Sequence, residues 1–169
     1  MNKIFLLSFC FIAITQVFSD DIFAKKDYEN DGLFLRIALI SDWEKTINEW
    51  NNPSFDDTPK IETKDIYHHG ELMIPFIVYC TNALDKEGKA LITYDVKIIK
   101  PNGDIYVDIK DLIVIDGEPP SGFGMFQQPL GLKIENDDPN GNYLIEIIIF
   151  DHIKEIKVPF SLGFTVNCD

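Results

Sequence analysis

Three histidines, at positions 68, 69 and 152, and three cysteines, at 10, 80 and 168, bound the chemistry open to this chain of 169 residues. A zinc protease needs His-Glu-x-x-His so that two imidazoles share one helix face. His68-His69-Gly70-Glu71 instead reads as a turn whose adjacent imidazoles point apart, which suits solvated side chains or a partial metal site completed by Glu71 or an aspartate. Asp137, Asp138, Asn140 and Asn142 offer the hard oxygens calcium takes, but not at EF-hand spacing, and a turn calls for the same residues. A blue-copper centre needs a histidine after its cysteine, and only Asp169 follows Cys168. No Gly-x-Ser-x-Gly elbow is present, and no glycine-rich loop joins a strand to a helix. Catalytic residues and cofactors are therefore not expected, and the metal candidates are His68, His69, Asp137 and Asp138.

The elements that must position these groups are strands. Tyr143, Ile145, Ile147 and Ile149 recur every second residue, and Ile156, Val158, Phe160, Leu162, Phe164 and Val166 do the same after a turn at Asp151 and His152. Period two marks half-buried strands, and the pair predicts a closing hairpin. Leu144, Ile148 and Phe150 on the opposite face imply partial cover there and a central strand, whereas Pro159 and Gly163 place the last strand near an edge. Earlier strands follow from Leu33, Leu35, Ile37 and Leu39, from Leu72 to Cys80, and from Ile92 to Ile98. Pro101-Asn102-Gly103-Asp104 then turns the chain into a partner strand at Ile105, Val107 and Ile109. The face of the Leu112–Ile115 run is not assignable from its pattern.

One helix of about ten residues is expected in addition. Ser41-Asp42-Trp43-Glu44 has capping-box spacing, Trp43, Ile47 and Trp50 share a helical face, and Asn51-Asn52-Pro53 stops it. Trp43 and Trp50 are thus expected to lie against the strands. Residues 117–129 form a long Gly/Pro-rich connection holding Phe123, Met125 and Phe126. These three either anchor an interface or fold over the open end of the core.

The predicted fold is all-β: an immunoglobulin-like antiparallel sandwich of seven to nine strands with one short amphipathic helix. Asp138, Gly141 and Tyr143 ahead of an alternating strand resemble the corner before the penultimate strand of immunoglobulin-like sandwiches, where the tyrosine hydroxyl bonds back to the corner backbone. Ile145 stands where antibody domains carry a cysteine two residues after the tyrosine, so their disulfide does not transfer. From Asp42 to Val166 the order of parts is similar to that of a group of small secreted bacterial proteins of unassigned function. The resemblance implies the fold and export, with Gly141 and Tyr143 structural.

Lys3, the uncharged apolar run from Ile4 to Ile14 and a small residue at Ser19 make residues 1–19 a predicted secretory signal peptide. Residues 20–32 are expected as a mobile leader and 33–169 as the sandwich domain. Export places the mature chain in the periplasm or outside the cell, where Cys80 and Cys168 are free to pair. Ordinary strand order would set them at opposite poles, so a disulfide and two separate thiols both stay open. The formal charge is −13, and removal of the signal peptide, which carries Lys3 and no acid, makes it one unit more negative. Such a charge disfavours nucleic acid and anionic lipid and steers toward a basic partner. The expected function is that of an exported, non-enzymatic module that recognises another protein, basic in character, through end loops, without membrane insertion after signal removal. The alternative is a periplasmic metal-binding domain using His68, His69 or the 137–142 turn.

Overall fold

In the computed structural model, the described residues are 25–30, 32–52 and 61–167. The expected signal peptide and Cys168 lie outside them. The order is β1 (Lys25–Asn30), β2 (Leu33–Ile40), α1 (Trp43–Asn51), β3 (Ile66–His68), β4 (Leu72–Thr81), β5 (Ala90–Ile99), β6 (Ile105–Gly117), β7 (Gly124–Met125), β8 (Leu132–Lys133), β9 (Gly141–Asp151) and β10 (Ile156–Asn167). One sheet runs β1-β2-β4, with β7 and β8 each pairing β4, and the other runs β3-β10-β9-β5-β6. These two layers form a β-sandwich. Every pairing is antiparallel except that of β3 with β10.

The period-two residues meet in the core. Tyr143, Ile145, Ile147 and Ile149 of β9 face inward with Tyr94, Val96 and Ile98 of β5 and Leu162, Phe164 and Val166 of β10, all buried. Strand β9 is central, as predicted, and β10 has only the three-residue β3 beyond it. Ile148 is exposed on the outer face of β9, so the cover expected there is incomplete. Strand β4 is buried from Met73 to Tyr79 on both faces. Its Pro75, which has no N–H to offer, lies in the interval between the β8 and β7 pairings.

Four local expectations change. Lys25–Asn30, assigned to a mobile leader, is strand β1, held in register on β2 and by a bidentate Arg36–Asp27 pair at 2.8 Å. The helix begins one residue later than the capping-box pattern implies. Asp42 is its N-cap, with Oδ1 accepting from the Lys45 amide at 2.9 Å, because a carboxylate there satisfies an otherwise orphaned N–H. The apolar run after Ile109 continues β6 past a bulge. Asp111 adopts φ 58° there, and its amide donates to the Asp95 carboxylate at 3.0 Å. Finally, residues 124–128 are ordered along both sheets. Gly124 and Met125 pair with β4, while the Gln127 and Gln128 amides donate to the Val114 and Ile113 carbonyls of β6. The two glutamine side-chain oxygens accept from Asp116 and Ile113, so amide groups cap half of an edge that would otherwise be bare.

Two ends of the sandwich follow from this register. The corner end gathers the starts of β4 and β9, the β5–β6 turn and the 68–70 turn. The loop end gathers residues 82–89, 117–123 and 151–156 and the β1–β2 turn.

Candidate functional site

At the corner end the chain converges on Asp138. Its Oδ2 accepts from the Tyr106 hydroxyl and, at 2.9 Å, from the Glu135 amide, and its Oδ1 meets Lys100 Nζ at 3.0 Å. Lys100 Nζ also lies 4.0 Å from the centre of the Tyr106 ring. Burial alone would raise the Asp138 carboxyl, but the Tyr106, Glu135 and Lys100 contacts outweigh it and hold the pKa below its ordinary value. The same burial, with the neighbouring carboxylate, raises Tyr106. Tyr143 Oη donates to the Pro139 carbonyl at 2.9 Å, the back-bond that the resemblance to an immunoglobulin-like corner implied, and burial pushes its pKa up to about 12. Gly141 has φ +126°, and a Cβ there would meet Pro101 side-chain carbons at 3.1 Å. Both residues are structural in this arrangement. These bonds tie Lys100, Tyr106, Glu135 and Asp138 together across the corner. The cluster is a latch.

The metal candidates are distributed through that latch. His69 Nε2 lies 3.0 Å from the Asp138 carbonyl, so the structure brings these two together through backbone and not through the carboxylate. The His68 amide donates to Glu71, which Lys64 also grips through both oxygens at 2.7 Å. Asp137 is exposed, and Asn142 Oδ1 accepts from the Thr165 hydroxyl. Among the described residues no three His, Cys, Asp or Glu side chains converge on a common point. Lys100 and Tyr106 escaped the sequence reading because each looked like an ordinary exposed strand-end residue.

The loop end carries exposed charges at Asp85, Lys86, Glu87, Glu118 and Glu155 together with large apolar side chains. Phe126 is 3% exposed and meets Trp43, Phe76 and Tyr94 edge-on, with ring centroids 5.8, 5.5 and 6.4 Å away. Trp43 and Trp50 both rest on Phe76, as their helical spacing predicted. Phe126 is therefore core and unavailable to a partner, which corrects its assignment to an interaction surface. Met125 is half-buried against the core. Phe123 remains, 56% exposed and set edge-on to Phe34 at 5.2 Å. It walls a groove of about 300 Å³ lined also by Glu29, Gly32, Leu33, Phe34 and Cys80. Leu84 and Ile153, on the two other loops of this end, are 44% and 37% exposed. Sequence reasoning missed both, since a single apolar residue in a polar turn carries no periodicity.

Cys80 is half-buried, opposite Phe34 and near the loop-end terminus of β4. β10 ends at Asn167 beside His68, at the corner end, roughly the length of β4, about 30 Å, away.

Fold and corner together define a two-sheet β-sandwich with a tyrosine latch. No family model and no curated protein matches the chain. Among solved structures it is similar to Pseudomonas fluorescens alkylpurine DNA glycosylase AlkC bound to DNA, at 12% identity and TM-score 0.40 over 61% of this chain and 27% of that one. A family 123 glycoside hydrolase from Clostridium perfringens matches at 15% identity and TM-score 0.41, over 80% of this chain and 28% of that one. The PmoD soluble domain from Methylocystis sp. ATCC 49242 matches at 9% and 0.36, over 83% and 96%. The chain spans less than a third of the length of the first two.

Proposed function

We propose that this chain is an exported, non-enzymatic interaction module that recognises another protein through the loops at one end of its sandwich. The observation that carries the reading is the placement of Leu84, Phe123 and Ile153. Each is a large apolar side chain left exposed on a different loop of the same end, while the remainder of that end is held by the strand register. Exposed apolar residues presented on rigid elements are what interfaces are built around. Export rests on the predicted signal peptide, and the acidic charge favours a basic partner. Among the described residues no helix is long and apolar enough to cross a membrane.

The test is crosslinking of the mature chain in a native extract beside a variant carrying Leu84→Ser, Phe123→Ser and Ile153→Ser. A specific protein should be recovered with the wild type and lost with the variant. Recovery of the same protein by both would refute the reading.

A further inference from the structure

The groove at the loop end has a chemistry of its own, and the inference drawn from it rests on the interaction reading above. Its floor and wall are Leu33, Phe34, Cys80 and Phe123. Phe34 is directly opposite both Glu29 and Cys80 in the strand register, so carboxylate, ring and thiol rise from one face of the sheet. The charges nearby are not equivalent. Arg36, one row along, has Nε and a terminal nitrogen both committed to Asp27 at 2.8 Å. Glu29 is exposed and, among the described residues, engages no cation. The groove is thus a mainly apolar slot, with the Asp27-paired Arg36 guanidinium 5.6 Å over the Phe34 ring and, among the described residues, the uncompensated Glu29 at its rim, on a molecule of formal charge −13. Its volume, about 300 Å³, is at the small limit of ligand pockets and suits a side chain better than a free ligand.

We infer that the groove receives an extended basic segment of the partner protein, with one large apolar side chain seated against the contacting Phe34–Phe123 pair and beside Cys80, and an adjacent Lys or Arg on Glu29. Burial of the apolar side chain supplies the affinity. The ion pair, being at the rim, supplies selectivity and association rate.

The test is fluorescence anisotropy with three short labelled peptides of equal length, centred on Lys-Phe-Lys, Lys-Ser-Lys and Glu-Phe-Glu, added to the mature chain. The Lys-Phe-Lys peptide should bind best. Phe123→Ser should weaken it about tenfold or more, as loss of a central anchor does. Glu29→Gln should weaken it up to about fivefold, an effect that fades in high salt. Thermal melts of both variants check that they fold. Equal binding of Lys-Ser-Lys, equal binding of Glu-Phe-Glu, or indifference to Phe123→Ser overturns the inference. If no peptide binds while the crosslinked protein is still lost in the triple-serine variant, the groove assignment falls and the interaction reading stands.

Discussion

Tyr143 and Asp138 hold the corner by different means, and only one of them was legible in sequence. The Tyr143 hydroxyl reaches a carbonyl four residues upstream, the bond that the resemblance of Asp138, Gly141 and Tyr143 to an immunoglobulin-like corner implied. Asp138 bonds Tyr106 and Lys100 across 32 and 38 residues, and nothing local marks those partners. Tyr143→Phe should leave the ring stacked on Phe164 at 4.8 Å while removing one part-buried hydrogen bond. The expected loss is about 1 kcal/mol, a drop of about 3 °C in Tm, read by calorimetry. An unchanged Tm would show that the latch does not depend on this hydroxyl.

Among elements, the connection between β6 and β8 separates what packs from what faces out. Phe123 and Phe126 are three residues apart and alike in type, and the sequence left both open as anchor or plug. Tertiary packing divides them because β7 pairs Gly124 and Met125 with Tyr79 and Val78, which delivers Phe126 to Trp43, Phe76 and Tyr94. Phe126→Ala should cost about 3–5 kcal/mol in denaturant unfolding, whereas Phe123→Ser should cost under about 1 kcal/mol. Equal costs would mean that Phe123 belongs to the core. The helix was read more fully, since Trp43, Ile47 and Trp50 lie on one stripe. Its cap shifted by one residue because Asp42 and Ser41 both have capping side chains and only backbone geometry chooses between them.

For the whole molecule, stability should be limited at both extremes of pH. Asp138 and Glu71 have pKa values lowered in the fold, so their stabilisation is present above the unfolded carboxyl range of about 4 and is lost as pH falls through the folded values. Tyr67, Tyr94, Tyr106 and Tyr143 are raised by burial, so their contribution is intact below about pH 10 and is lost as pH climbs toward the folded values, about 12 for Tyr143. Urea midpoints measured across pH should fall off on both sides of a neutral plateau, and Asp138→Asn should flatten the acid limb. An acid limb as steep in that variant as in the wild type would place the loss elsewhere.

Alternation of side chains along β2, β5, β9 and β10 was enough to set the fold class, because a period of two decides which face each residue presents and buried faces must find one another. The corner motif was local for the same reason. Which loops share an end, which phenylalanine of the 123–126 segment is buried, and that Glu29 meets no cation among the described residues were decided only by how the two sheets close. Those depend on contacts between residues tens of positions apart, whose energies no local pattern records.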